Sequence, residues 1–308
     1  MHILVPLDGS PLAERAIGSA ARLLRRATGP ASLTLLNIIT ASSVAYDATG
    51  FAPPVTESAF QSAIAGGEQY LAQVAARHEL ADLQVTTLTQ MGGTVANDIC
   101  QVAQERQVDF IVLASHTRTG MTHFFLGSVA EAVMRDAPVP TIIIHRDAPH
   151  FPPLGRDEPF TILIPLDGTP LAEAVVVPAI RLAAQVHGVI RVMRVLPTHQ
   201  GAIPAERGQV AETQAYFAHL RPIVEGQGVA MSENIAWGDV AEHITAVAQE
   251  FQTDLLAIAT HGAIGLAQLR EGSVTLDLLH HLPTPMLIVH PSEQIPSVPT
   301  PASRAKLV

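Results

Sequence analysis

The sequence predicts an α/β protein of two tandem, doubly wound domains, each built on a five-stranded parallel sheet, and three observations predict it. Residues 3–14 read ILVPLDGSPLAE and residues 162–173 read ILIPLDGTPLAE, identical at ten of twelve positions. Later landmarks recur in the same order: GTVANDI at 93–99 against GDVAEHI at 238–244, and LGSV at 126–129 against EGSV at 271–274. Within each copy, short β-branched runs alternate with helical patterns, the sequence form of βαβ units.

The strands follow in order. ILVPL (3–7), SLTLLNII (32–39), LQVTTLT (83–89), DFIVLAS (109–115) and PTIIIH (140–145) serve the first copy. TILIPL (161–166), GVIRVMRVL (188–196), VAMSENIA (229–236), DLLAIAT (254–260) and PMLIVH (285–290) answer them in the second. The fourth and fifth runs are continuously apolar, as expected of strands covered on both faces. Five strands with four helices give a flavodoxin- or Rossmann-like domain. The copies lie 159 residues apart at Ile3 and Ile162 but 145 apart at Gly93 and Gly238, so the first carries about fourteen extra residues. They fall between its second strand and second helix, where ATGFAPPV occupies 48–55. The domains are therefore placed at 1–146 and 160–291. Residues 147–159, rich in proline and charge, suit an extended linker, and 292–308 a disordered tail.

Composition narrows the function classes. The 308 residues carry a formal net charge of -10, which argues against generic affinity for nucleic acid or an anionic membrane. A lone cysteine, Cys100, excludes an internal disulfide framework and a thiolate zinc site, and fits a reducing cytoplasm. No leader pattern precedes Ile3, and the apolar runs are far shorter than the roughly 20 residues of a spanning helix. Fourteen histidines show no His-Glu-x-x-His pattern, so no metal site is expected. Nucleophile-elbow and GxxxxGK[ST] motifs are absent as well.

In doubly wound sheets, ligands bind beyond the carboxyl ends of the strands, where strand order reverses. Three segments of each copy can converge there. Asp8-Gly9-Ser10-Pro11 and Asp167-Gly168-Thr169-Pro170 follow the first strand. Ser10 or Thr169 suits an N-cap and the proline a first helical position. That leaves the aspartates free to accept hydrogen bonds from a ribose or a base. After the fourth strand come Ala114-Ser115-His116-Thr117 with Gly127-Ser128-Val129 beyond, and Ala259-Thr260-His261-Gly262 with Gly272-Ser273-Val274 beyond. A glycine turn leading into a helix N-terminus presents backbone N–H groups to an anion, phosphate above all. The plainer reading is helix capping, since Ser128 and Glu131 have capping-box spacing. Ile38 and Val195 end the second strand of each copy and can pack against a base.

These residues resemble the universal stress protein family, in its ATP-binding branch, over essentially both domains. The family's phosphate loop has two glycines separated by two residues, then nine residues before Gly-Ser or Gly-Thr. This chain keeps the spacing twice, from Ala114 to Gly127-Ser128 and from Ala259 to Gly272-Ser273. The resemblance implies ATP, with Mg²⁺, bound between strands one and four of each domain. Asp8 and Asp167 would then contact adenosine, and Ile38 and Val195 would flank adenine. Ala114, His116, Thr117, Gly127, Ser128 and Val129 would enclose the phosphates, as would Ala259, His261, Gly262, Gly272, Ser273 and Val274. It also implies pairing through the last strand, here satisfied within one chain as a pseudo-dimer joining PTIIIH to PMLIVH, with homodimers and an unidentified protein partner beyond that.

Two departures bear on affinity. Alanine replaces the first family glycine in both copies, and Thr117 replaces the second in the first copy only. A β-branched residue forced to positive φ costs about 1–2 kcal/mol, roughly tenfold in binding, so the second copy, with Gly262, is predicted to bind more tightly. The expected function is an ATP-binding stress-response protein acting as a nucleotide-dependent sensor or regulator, with no catalytic residue assigned. The alternatives are a slow Mg²⁺-dependent ATP hydrolase or phosphotransfer enzyme, and a scaffold that has lost nucleotide binding.

Overall fold

Ile3, Val5 and Leu7 face one apolar layer and Leu4 faces the other, all of them buried, so the first strand is covered on both sides. The same alternation runs through a computed structural model that describes residues 1–40, 57–115, 127–145, 148, 151, 159–198, 203–260, 274, 278 and 282–291. In chain order the first half contains β1 (His2–Pro6), α1 (Arg15–Arg25), β2 (Ser32–Ile39), α2 (Glu57–Ala75), β3 (Gln84–Met91), α3 (Val95–Glu105), β4 (Phe110–Ser115), α4 (Ser128–Asp136) and β5 (Thr141–His145). The second half contains β6 (Phe160–Pro165), α5 (Pro170–Glu173), α6 (Val176–Gln185), β7 (Gly188–Leu196), α7 (Ile203–Glu225), β8 (Ala230–Trp237), α8 (Val240–Glu250), β9 (Leu255–Ala259) and β10 (Met286–Val289). Every predicted strand forms, within two residues of its expected ends.

The strands join one ten-stranded sheet in the order β3-β2-β1-β4-β5-β10-β9-β6-β7-β8. Within each half all pairs are parallel, with Val5 opposite Leu35 and Ile164 opposite Val192. The halves meet at β5 and β10, which run antiparallel with Ile142 opposite Leu287. Pairing covers both strands where each would otherwise expose a hydrophobic edge. Residues of both halves contribute to each apolar layer, one under α1, α2, α6 and α7 and the other under α3, α4 and α8.

Two residues of the expected linker are part of this core. Ala148 and Phe151 are buried, and the Phe151 ring meets Phe160 edge to face with centroids 5.3 Å apart. The Phe151 carbonyl accepts a hydrogen bond from Arg22 Nη1 at 2.7 Å. An aromatic anchor, invisible to a composition-based reading, thus fastens the segment between the halves to α1 and β6. The expected tail at 292–308 and the insertion at 48–55 lie outside the described residues.

Candidate functional site

Strand order reverses between β1 and β4, and again between β6 and β9, and a cleft opens at the carboxyl ends of the strands at each reversal. The first has a volume of about 560 Å³ and gathers Asp8, Ile38, Ala114 and Val129. The second, of about 280 Å³, gathers Asp167, Val195, Ala259 and Val274. Eight predicted site residues therefore converge on two equivalent clefts, four in each.

The aspartate turns are built alike. Gly9 and Gly168 have φ of +81° and +86°, a left-handed conformation that L side chains resist, which explains Asp-Gly in both copies. Asp8 Oδ1 accepts from the Ser10 N–H at 2.9 Å, and Asp167 Oδ1 from the Thr169 N–H at 2.8 Å and hydroxyl at 2.7 Å. One carboxylate oxygen therefore holds the turn while the aspartate lines the cleft. Turn chemistry and ligand contact do not compete. Thr169 caps α5, its Oγ1 accepting from the Ala172 N–H at 3.2 Å, with Pro170 at the first helical position as predicted. Ser10 accepts the equivalent bond from Ala13 at 3.1 Å, but α1 begins only at Arg15.

On the other side of the first cleft, α4 starts differently from its capping-box reading. The N-cap is Gly127, with φ +88° and ψ 130°, and Ser128 is already helical. A glycine cap offers no side chain to the first-turn N–H groups, so those of Ser128, Val129 and Ala130 stay available at the cleft mouth. Ser128 and Val129 are exposed there. The backbone conformation of Gly127 decides this, and residue spacing alone does not reveal it. His116, Thr117, His261, Gly262, Gly272 and Ser273 lie outside the described residues.

Several wall residues were missed. Val95 and Ile99 of α3 line the first cleft, as Val240 and Ile244 of α8 line the second. Both pairs belong to the recurring GTVANDI and GDVAEHI segments, so the repeat itself carried the signal. Gly66, Gly67 and Tyr70 of α2 also line the first cleft. The Tyr70 hydroxyl donates to Glu14 at 3.0 Å, and Glu14 pairs with Arg77 at 2.8 Å. Burial first, then the Glu14 carboxylate, raises the Tyr70 pKa and keeps this wall neutral. Among the described residues, Asp8 and Tyr70 are the titratable groups lining the first cleft, and Asp167 alone lines the second. No group of three potential metal-ligating side chains occurs among the described residues.

Fold and clefts together define a tandem, doubly wound α/β protein with a binding-sized hollow at each strand-order switch. The profile of the universal stress protein family matches residues 1–145 and again 160–290, and the chain belongs to that family. A universal stress protein of Methanocaldococcus jannaschii is 30% identical over 80 residues, a match spanning 26% of this chain and 46% of that relative. The crystal structure of a universal stress protein from Archaeoglobus fulgidus superposes with a TM-score of 0.68 at 16% identity, covering 94% of this chain and 98% of that one. A Pseudomonas aeruginosa protein of unknown function superposes with a TM-score of 0.55 at 16% identity, over 96% of this chain and 94% of its own. Among the described residues no helix is long and apolar enough to cross a membrane.

Proposed function

We propose that the chain is a stress-response protein that binds adenine nucleotide in its clefts and acts as a nucleotide-dependent sensor or regulator, without turnover. One observation carries this reading. An apolar wall, an aspartate acceptor and a helix N-terminus with free N–H groups meet around one hollow, and the walls and acceptor recur in the second copy. Those are the three chemistries of a nucleotide. The base packs on Ile38 or Val195 beside Ile99 or Ile244, the carboxylate of Asp8 or Asp167 accepts a hydrogen bond from the nucleoside, and the phosphates meet the N–H groups that open α4.

The first hollow, of about 560 Å³, is of a size that suits a mononucleotide, and the second, of about 280 Å³, lies just below that range. ATP with Mg²⁺ is the ligand on this reading, the metal held by the phosphates. An apolar lining with few titratable groups supports binding over hydrolysis. The antiparallel β5–β10 pair stands where two subunits would otherwise join, so we read the chain as its own pseudo-dimer, free to form homodimers or engage a protein partner through other surfaces. A cytoplasmic location fits its single free cysteine.

The test is mass spectrometry of nucleotide released from freshly purified, denatured protein, followed by calorimetry with ATP and AMP. Co-purified adenine nucleotide or saturable binding is expected. A chain that carries none and binds none overturns the reading.

A further inference from the structure

The ten-stranded sheet ends in two outer strands, β3 and β8, and their free edges are finished differently. The Gly92 N–H bonds the Ile39 carbonyl, and Ile39 pairs with Met91, so even-numbered residues of β3 turn their main chain to β2. Val85, Thr87, Thr89 and Met91 therefore direct N–H and C=O groups outward. In β8 the Gly238 N–H bonds the Leu196 carbonyl in the same way, which turns the main-chain groups of Met231 and Glu233 outward.

The β8 edge is guarded. Arg221 of α7 donates from Nη1 to the outward Met231 carbonyl at 3.2 Å and to Glu225 at 2.7 Å, while its Nη2 holds Glu233. An arginine thus occupies an acceptor that an incoming strand needs, and a carboxylate stands on the strand itself; edge charges of this kind discourage pairing. β3 has neither. Leu35 and Val192 are equivalent through their pairing with Val5 and Ile164, so Thr87 is the counterpart of Glu233 and Val85 that of Met231. The residue as far before Val85 as Arg221 is before Met231 is Ala75, which packs on the apolar layer and has no side-chain donor.

The β3 strand, QVTTLTQM, is rich in β-branched residues and holds no charge and no proline, and its register with β2 is unbroken from Gln84 to Met91. Gln84, Thr86, Thr87 and Met91 are exposed, Met91 to 50%. No described residue bonds the outward main-chain groups. An uncharged strand meets an identical strand without repulsion, and a two-fold axis normal to the sheet sets the two antiparallel. The guard on β8 opposes the alternative, β3 of one chain on β8 of the next, which would propagate without closing. The chain already joins its own halves by antiparallel edge pairing, at β5 and β10.

Independently of what the clefts bind, we propose that two chains associate through β3, antiparallel about a two-fold axis, into one sheet continuous across both. With Leu88 on the axis, Val85 faces Met91 of the second chain and Thr87 faces Thr89. Every outward N–H and C=O then finds a partner, and the exposed Met91 gains an apolar neighbour.

The test is analytical ultracentrifugation of the full chain, as wild type and with the double substitution Ala75→Arg, Thr87→Glu, which rebuilds the β8 guard on β3; thermal melting shows whether the variant is folded. The wild type is expected to be a dimer in the micromolar range, and the variant to have a dissociation constant at least about tenfold higher. In a Cys100→Ser background, Leu88→Cys is expected to cross-link two chains on mild oxidation. Residues directly opposite at a non-hydrogen-bonded position stand about 4.5 Å apart at Cα, within disulfide reach. Thr86→Cys, which faces Gln90 of the second chain, is expected to stay monomeric on a denaturing gel. A wild type that sediments as a single chain, a dimer unmoved by a folded double variant, or a Leu88→Cys chain that cross-links no better than Thr86→Cys overturns the proposal. The cysteine pair decides the matter if the double variant does not fold.

Discussion

Replacing Phe151 by alanine removes a ring that is 1% exposed and lies edge to face on Phe160, in the apolar layer that α1 and β6 share. Truncating a fully buried phenylalanine costs about 3–5 kcal/mol, the sum of lost transfer energy and an incompletely filled cavity. The edge-to-face contact lies within that range, since such pairs add only about 0.5–1.5 kcal/mol. The Arg22 bond to the Phe151 carbonyl uses main chain and survives the substitution, so the full loss belongs to the ring. At roughly 2–4 °C per kcal/mol for a chain somewhat smaller than this one, the midpoint should fall on the order of 10 °C. Thermal and urea denaturation of wild type, Phe151→Ala and Phe151→Leu measure it, with leucine expected to recover about half. If Phe151→Ala melts within 1–2 °C of wild type, the segment between the halves is a passive tether and its anchoring role is refuted.

Three further expectations follow from individual positions. His290 is buried with Nδ1 unpartnered and Nε2 3.4 Å from the Thr260 hydroxyl, and burial lowers its pKa. The unfolded chain then takes up the proton near pH 6.5 and the folded chain only below that, so stability is complete above about pH 6.5 and declines as pH falls through the folded value. Urea midpoints between pH 8 and pH 5 should show this decline and His290→Gln should flatten it, with His2 contributing a residual slope of the same sign. A Cβ on Gly67 would sit 2.6 Å from Asn37 Oδ1 and 2.9 Å from Thr89 Cγ2. Gly67→Ala should therefore cost about 1–3 kcal/mol by overpacking and weaken ligand binding in the first cleft, measured by melting and calorimetry; unchanged values for both count against the close approach of α2 to β2. Gly127→Ala forces φ +88° on an L residue, a strain of about 1–3 kcal/mol, and should lower nucleotide affinity at the first cleft by roughly tenfold or more.

The strands were legible because β-branched apolar runs recur at matching places in two copies, and the cleft walls because Asp8, Ile38 and Ala114 lie at or just beyond the ends of strands that a doubly wound sheet must bring together. Helix starts were less so. Ser128 has the spacing of a cap, but the positive φ of Gly127 moves the cap back one residue, and such a dihedral has no signature beyond the glycine itself. The α2 wall was missed because the copies disagree there, Gly66-Gly67 against Glu212-Thr213, and a search for recurrence passes over positions that differ. The predicted advantage of the second copy rested on Gly262, outside the described residues. At the opposite end of the cleft the first copy is the roomier one.

Because β5 and β10 run antiparallel at the middle of one sheet, the carboxyl ends of the two parallel halves point in opposite directions, and the two mouths open at opposite ends of the molecule. A bulky partner seated over one leaves the other in contact with solvent, so the two can fill in either order. An assembly of two identical chains would impose every substitution on both mouths at once. Joining the halves by a peptide bond removes that constraint, letting a lobe lined by Asn37 and Gly67 persist at one mouth and be absent from the other.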